Sequence, residues 1–277
     1  MDIKEAGIKI LDAGAVEVRD VDGGKDHFVY TTGNRGPGYV MIKGLVGQRK
    51  VLKFLVRQLA EKLAPLFRQQ FDFINGNATG GMVPAWQLAD SLEKLLSLEE
   101  GEIPYTYLRG SRKTGGHGEL VTGDRNNPLI TSGMSALVFE ELVNYAETTT
   151  NAAVTLREHG YPVSHAACIL SYDHPEARER LRAADMDLVA LITLPELLVI
   201  AEETGKIPER AVRSYRDFLT DPIGWQLQRG LVIPADSAKA AKVRGINMRK
   251  LLPDEAISLG APNDKVNEGV IYWAKVA

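Results

Sequence analysis

The sequence has few of the features that mark several large protein classes. Only one of its 277 residues is a cysteine, Cys168, which excludes a disulfide framework and makes a cysteine metal site unexpected. No apolar stretch is long enough to span a bilayer, and the N-terminus has no basic segment leading into an apolar run. Internal repeats and low-complexity tracts are absent. We therefore expect a cytoplasmic globular protein without a membrane partner.

The charge balance gives no sign of a nucleic-acid-binding protein. The net charge is −3, so the chain offers no strongly basic surface, although a local basic patch stays compatible with it. Hydrophobic residues make up 44% and charged residues 25%, which is ordinary for a globular protein. A chain of this length folds as one large domain or two small ones and buries a core.

Short apolar runs alternate with helical patterns through most of the chain. The runs include "FDFIN" (71–75), "SALVFE" (135–140) and "DLVALITL" (187–194), whereas leucines recur at helical spacing through 46–69. This alternation predicts an α/β fold with a mostly parallel sheet covered by helices on both faces. Binding sites in such sheets lie beyond the carboxyl ends of the strands.

Three loops are expected at that edge of the sheet, namely 75–82, 109–123 and 140–148. The segment 111–128 is long, polar and rich in glycine, as lids often are. After about residue 222 the alternation ends.

The three loops, taken in order, resemble those of the type I phosphoribosyltransferase family, and of its orotate branch in particular. The resemblance extends from about Glu5 to about Leu219 and rests on the order and spacing of several segments. These are "YTTGNRGPGYVMIKG" (30–44), "FDFINGNATGGMVPAWQLA" (71–89), "YLRGSRKTGGHGELVTG" (107–123), "ALVFEELVNYAETTTNAAVTLREHG" (136–160) and "LVALITLPELLVIAEETGKI" (188–207). It implies an N-terminal hood at 1–45 and a core at 46–222, and we interpret the non-alternating residues 223–277 as a C-terminal appendage.

The resemblance implies transfer of ribose 5-phosphate from phosphoribosyl pyrophosphate to a nucleobase-like acceptor, with Mg²⁺ carried by the pyrophosphate. The transition state of this reaction resembles an oxocarbenium ion, and the leaving group gains negative charge. Catalysis is then mainly positioning and electrostatic stabilisation. A closing loop with Lys and Arg neutralises the leaving group and excludes water.

The resemblance also assigns roles to residues. Glu140 and Glu141 match the paired acids that accept hydrogen bonds from the ribose hydroxyls, and Arg109 and Lys113 match the basic residues of the mobile loop. Helix N-termini and their preceding loops commonly hold phosphates. The residues expected to bind substrate are Gly76, Asn77, Ala78, Thr79, Gly80, Gly81, His117, Asn144, Tyr145, Ala146, Glu147 and Thr148. A homodimer is also implied, with Lys113 serving the neighbouring site.

The chain departs from the family pattern in three places. Thr31 and Gly110 stand where the pattern has basic residues. The phosphate loop of the pattern, Thr-Thr-Gly-Gly-Ser, aligns with 144–148, which read Asn-Tyr-Ala-Glu-Thr. Two unit charges about 4 Å apart interact by roughly 4 kcal/mol at an effective dielectric near 20. A carboxylate at Glu147 that faced a phosphate would therefore cost about three decades of affinity.

Three explanations of the altered loop stay open from the sequence. Glu147 points away from the ligand, where it favours the helix macrodipole. Alternatively, the protein transfers a ribosyl group from a donor without a 5′-phosphate. In the third case, it is a non-catalytic relative that senses a nucleotide.

Overall fold

The computed structural model describes residues 2–109, 120–125 and 127–276. Its helices are α1 (Ile3–Asp12), α2 (Arg49–Leu63), α3 (Met82–Leu96), α4 (Glu147–Glu158), α5 (Pro175–Ala183), α6 (Leu194–Glu203), α7 (Glu209–Thr220), α8 (Pro222–Gln228), α9 (Ala235–Val243), α10 (Pro253–Ser258) and α11 (Asn263–Asn267). Short 3₁₀ helices cover Val21–Gly23, Ile42–Gly47 and Ala64–Leu66. No helix in the described part of the chain is both long enough and apolar enough to cross a membrane.

The strands are β1 (Val16–Val18), β2 (Phe28–Val29), β3 (Arg35–Gly36), β4 (Gly38–Val40), β5 (Phe73–Asn77), β6 (Tyr105–Leu108), β7 (Val121–Thr122), β8 (Ala136–Val143), β9 (His165–Ser171), β10 (Asp187–Thr193), β11 (Ile233–Pro234), β12 (Met248–Lys250) and β13 (Tyr272–Lys275). The chain divides into two compact units. The first comprises Met1–Ala15 and Met41–Ile200, and the second comprises Val16–Val40 and Ala201–Ala277.

The first unit is built on a six-stranded sheet with the order β10-β9-β8-β5-β6-β7. The first five strands are parallel, and β7 pairs antiparallel with β6. Leu137, Val138 and Phe139 in the central strand β8 are wholly buried, as expected for a parallel strand covered on both faces. The predicted α/β fold with a mostly parallel sheet is thus confirmed.

Helices cover this sheet because each has one apolar stripe. Ala152 and Leu156 of α4 join Ala177 and Leu181 of α5 in one buried cluster with residues of β8 and β9. Helices α2 and α3 pack on each other, and they contact β10 and β5 respectively. The helical leucine spacing predicted for 46–69 corresponds to α2, whose Leu52, Leu55 and Leu59 are buried.

The second unit joins an N-terminal segment to the C-terminal part of the chain. A Cβ atom at Gly38 would overlap the ring of Tyr215, so glycine lets β4 lie directly against α7. Asp20 accepts a hydrogen bond of 2.9 Å from Nε of Arg210. The strands β11, β13 and β12 form a small antiparallel sheet here.

The units group the chain by contacts between segments that are distant in sequence. The predicted hood, 1–45, contributes residues to both units. The predicted appendage, 223–277, lies in the second unit together with α7.

Candidate functional site

The parallel strands bring the predicted site segments to one edge of the first unit. β5 ends at Asn77 and β6 at Leu108, and β8 lies beside β5 at the centre of the sheet. The run predicted to end at Glu140 continues as a strand to Val143, because Leu142 and Val143 still pair with β9. Glu140 and Glu141 therefore lie inside β8, just before its last two residues, and not beyond its end.

A cleft of about 460 Å³ opens at this edge. The residues that line it are Lys43, Asn77, Ala78, Thr79, Gly80, Leu108, Arg109, Leu120, Glu140, Glu141, Thr148, Asn151, Ala152 and Thr155. Both acids, Arg109 and most of the loop after β5 thus share one cavity. A concavity of about 530 Å³ between α5 and β10 contains none of the predicted site residues.

The carboxylate of Glu140 is fixed by three hydrogen bonds. Its Oε1 accepts from Asn77 Nδ2 at 2.7 Å and from Thr149 Oγ1 at 2.9 Å, and its Oε2 accepts from Thr148 Oγ1 at 3.0 Å. Only 8% of the residue is exposed, and this burial raises the pKa of Glu140, while the three hydrogen bonds oppose the rise. Since each carboxylate oxygen accepts about two hydrogen bonds, Oε2 has room for one more.

Glu141 lies over the loop that follows β5. A Cβ atom at Gly80 would overlap its carboxylate, so the absence of a side chain at Gly80 lets the acid approach the loop closely. Burial raises the pKa of Glu141, its own backbone N–H lowers it, the negative charge of Glu140 raises it, and Lys43 lowers it. The two acids therefore differ: Glu140 is held by neutral donors, and Glu141 has a cation nearby.

The loop from Gly76 to Gly81 needs glycine because backbone atoms approach closely. A Cβ atom at Gly81 would lie 2.6 Å from the carbonyl oxygen of Phe139, and one at Gly76 would lie 3.0 Å from the carbonyl oxygen of Gly81. The peptide bond between Ala78 and Thr79 is cis. Helix α3 then begins at Met82. Gly76 and Gly81 shape the loop from behind, whereas Asn77, Ala78, Thr79 and Gly80 line the cleft.

Comparison with known proteins gives consistent relatives, although no family model matches the chain. An orotate phosphoribosyltransferase of Listeria monocytogenes is 24% identical over 222 residues, which cover 80% of this chain and 97% of the relative. One from Coxiella burnetii is 29% identical over 200 residues, covering 71% of this chain and 87% of the relative.

Solved structures agree with these relatives in fold. The orotate phosphoribosyltransferase of Aeropyrum pernix has a TM-score of 0.52 at 24% identity, over 72% of this chain and 99% of that one. The Mycobacterium tuberculosis enzyme in complex with phosphoribosyl pyrophosphate has a TM-score of 0.51 at 15% identity, over 71% and 99%. This chain is therefore similar to orotate phosphoribosyltransferases in both sequence and fold. The resemblance found in the sequence is thereby confirmed.

The segment 144–148, which the sequence predicts as a phosphate-binding loop, turns most of its side chains away from the cleft. Of the five residues 144–148, only Thr148 lines the cavity. Ala146 takes a left-handed backbone conformation, with φ of 57°, and α4 begins at Glu147 without a side-chain cap. The ring of Tyr145 stacks on His174 at 4.6 Å. Alanine thus adopts a conformation that glycine adopts more easily.

Glu147 faces Arg180 and not the cleft. Its side chain is 76% exposed, and its carboxylate lies 3.9 Å from Nη1 of Arg180. The same Nη1 donates a hydrogen bond of 3.0 Å to the carbonyl oxygen of Tyr145. The strong repulsion expected for a carboxylate opposite a phosphate therefore does not follow from this geometry. Of the explanations left open by the sequence, this arrangement matches the one in which Glu147 points away.

The mobile-loop residues are described only in part. Arg109 lines the cleft, and its backbone N–H donates to the carbonyl oxygen of Leu120 at 3.1 Å. The predicted residues Lys113 and His117, like Gly110, lie outside the described residues.

Sequence reasoning missed four polar residues of the cleft and its support, namely Lys43, Thr149, Asn151 and Thr155. Thr149 hydrogen-bonds Glu140, and Asn151 and Thr155 line the cavity from α4. Their spacing of three and seven residues from Thr148 could have indicated one helix face. Lys43 also lines the cavity, but it lies far from the other residues in sequence, and no spacing marks it.

Proposed function

We propose that this orotate phosphoribosyltransferase-like protein transfers ribose 5-phosphate from phosphoribosyl pyrophosphate to a pyrimidine-like base. The observation that carries the proposal is the single cleft in which Glu140, Glu141 and Arg109 face the loop 77–80. The relatives named orotate phosphoribosyltransferase support the reaction class. A solved relative binds phosphoribosyl pyrophosphate, which supports the choice of donor.

The acid pair is suited to holding the ribose. Glu140 keeps one acceptor position on Oε2 for a sugar hydroxyl, and its three protein hydrogen bonds fix the direction in which that position faces. Asn77 Oδ1 is buried and has no hydrogen-bond partner among the described residues, so it is a second acceptor at the same wall. Held in this way, the ribose presents its anomeric carbon without the need for reorganisation during the reaction.

Charge stabilisation in the proposed reaction comes from cations on the other wall. The guanidinium group of Arg109 presents several N–H donors to the leaving pyrophosphate. Developing negative charge in a cleft of this kind is stabilised more than it would be in water. Lys113 belongs to the same proposal as a loop cation, acting within its own chain or in the neighbouring subunit.

Magnesium fits the cleft as an ion carried by the pyrophosphate. Among the described residues no group of three or more His, Cys, Asp or Glu side chains is arranged to hold a metal. Mg²⁺ commonly keeps several waters and binds through substrate phosphates, so a protein cage is not required. Bound in this way, it would supply charge neutralisation on the leaving group.

The N-terminus of α4 is the proposed position for the 5′-phosphate. This helix has no side-chain cap, and its first backbone N–H groups are oriented as donors by the helix itself. Thr148 lies both at this end and in the cleft. A phosphate held by these N–H groups depends on the conformation of the backbone at this helix end.

Titration calorimetry and turnover assays test the proposal together. We expect phosphoribosyl pyrophosphate with Mg²⁺ to bind, and at least one base from a panel that includes orotate and uracil to be consumed with release of pyrophosphate. Binding without turnover of any base would favour the nucleotide-sensing alternative. If the protein neither binds the donor nor consumes a base, both the transferase function and the nucleotide-sensing alternative are contradicted.

A donor without a 5′-phosphate is a second candidate, and one observation favours it. Ala146 and Glu147 add side chains to a loop where the family pattern has two glycines, which narrows the approach of an anion to the backbone. The double variant Ala146→Gly, Glu147→Gly tests this candidate. If the candidate is right, the variant should bind phosphoribosyl pyrophosphate more tightly than the unaltered protein does. An unchanged dissociation constant would contradict it.

The proposal also includes a homodimer in the cytoplasm. Light scattering coupled to size-exclusion chromatography should give about twice the chain mass of 30.4 kDa. Fractionation of cells should recover the protein with the cytosolic markers. A monomer that still turns over its substrate would exclude a contribution of Lys113 to a neighbouring site.

A further inference from the structure

Lys43 lines the cleft but belongs neither to the acid pair nor to the glycine-rich loop 76–81 nor to the mobile loop. It lies in the 3₁₀ helix Ile42–Gly47 and lines the same cavity as Glu141 and Thr79. We propose that Lys43 is a further substrate-binding residue, which holds the pyrophosphate group of the donor against the wall formed by the loop 77–80. This inference rests on the proposed function, because it takes phosphoribosyl pyrophosphate as the ligand.

The position of Lys43 is fixed by its neighbours in the chain. Ile42 and Leu45 are each only 1% exposed, so they anchor the 3₁₀ helix in the core. This helix also contacts β8, the strand that carries the acid pair. Because Lys43 stands between two buried anchors and is itself exposed, its backbone is held while its ammonium group reaches the cleft.

The charge balance of the cleft gives Lys43 a function. Two acids line the described cavity, Glu140 and Glu141, and an anionic donor entering beside them is repelled unless cations are present. The cations that line it are Arg109 and Lys43, so that two positive groups face two negative ones. Without Lys43 the described cleft would carry an excess of negative charge.

The sequence also explains why a cation is needed at this place. The family pattern has basic residues at positions that Thr31 and Gly110 occupy in this chain. Lys43 supplies a positive charge from a third segment. Its charge lowers the pKa of Glu141 against the effect of burial. A lysine can serve phosphates as a compact point charge with three donors.

Binding of pyrophosphate with Mg²⁺, measured by titration calorimetry, tests the proposal directly. Lys43→Met should weaken this binding about tenfold, whereas Lys43→Arg should stay within about twofold of the unaltered protein. The matched control is Lys50→Met, since Lys50 is exposed on α2 and does not line the cleft. Ribose 5-phosphate, which lacks the pyrophosphate, should bind Lys43→Met and the unaltered protein equally well. Equal pyrophosphate binding by Lys43→Met and Lys50→Met would overturn the proposal.

A ligand-free measurement separates this inference from the proposed function. The charged groups that act on Glu141 are Glu140 on its own strand and Lys43, and Arg109 lines the same cleft; Cys168, buried on β9, is influenced by both acids. In a carboxyl NMR titration of the empty protein, Lys43→Met should raise the pKa of Glu141, and Lys50→Met should leave it unchanged. If this shift and the weakened pyrophosphate binding are seen but no base is turned over, the transferase function fails and the role of Lys43 stands. If the pKa of Glu141 is unchanged in Lys43→Met, Lys43 does not act on the acid pair, and the proposal fails whether or not the protein is a transferase.

Discussion

Two loops at the carboxyl edge of the same sheet differ in how strictly they need glycine. In the loop 76–81, Gly76 and Gly81 are required because a Cβ atom at either position would press against backbone atoms. The loop 144–148 contains no glycine, yet it has a left-handed residue at Ala146 and leads into α4. The loop 76–81 therefore has no room for a side chain at Gly76 or Gly81, whereas the loop 144–148 reaches its conformation with alanine at the left-handed position.

Of the substitutions considered, Glu140→Gln should have the largest effect, and it should act on catalytic activity. Glutamine presents an NH₂ group to donors that need an acceptor, namely Asn77 Nδ2 and the threonine hydroxyls, so the position facing the ribose is lost. We expect kcat/KM to fall about 100-fold or more. Steady-state assays check this against Glu158→Gln, an exposed substitution at the end of α4 that should leave the activity unchanged. A fall of less than tenfold would remove Glu140 from the machinery.

Gly81→Ala should destabilise the fold because its Cβ would lie 2.6 Å from the carbonyl oxygen of Phe139. Overpacking against backbone costs roughly 1–3 kcal/mol of unfolding free energy. Gly47→Ala is the matched control, since a Cβ there meets nothing within 4 Å. Denaturant unfolding compares the two. Equal stability of both variants would show that the backbone around Gly81 shifts to accept a Cβ atom at little cost in free energy.

The acid pair should also give the stability a recognisable pH dependence. Burial raises the pKa of Glu140 and Glu141 above the usual 4.5, so the folded state binds more protons than the unfolded state just above that pH. The free energy of unfolding therefore falls as the pH rises from 4.5 through the folded pKa values. Glu141→Gln removes one titration and should make this decline shallower. A decline as steep as that of the unaltered protein would place the Glu141 carboxylate in water.

Glu147→Gln should have the smallest effect. The carboxylate is exposed and lies beside Arg180, so its removal changes little at the cleft. We expect the dissociation constant for phosphoribosyl pyrophosphate to change less than about threefold. A gain of two or more decades would show that Glu147 does repel the donor and would shift the balance to the donor without a 5′-phosphate.

The sequence predicted the sheet because the sheet follows from local patterns, whereas the role of the acid pair was inferred from the family resemblance. Buried parallel strands give continuous apolar runs such as 136–139, and glycine-rich turns mark the loop after β5. The direction of Glu147 was not predictable, because it depends on Arg180, which lies 33 residues away on another helix. Lys43 was missed for the same kind of reason: only tertiary packing brings it to Glu141. The pairing of 16–40 with 201–277 likewise depends on long-range contacts such as Asp20 with Arg210.

A crystal structure of the protein with phosphoribosyl pyrophosphate and Mg²⁺ tests the central claim most directly. The account predicts a ribose hydroxyl within hydrogen-bond distance of Glu140 Oε2 and pyrophosphate oxygens along the loop 77–80. A donor bound outside this cleft, with Glu140 still satisfied by its three protein donors alone, would contradict it.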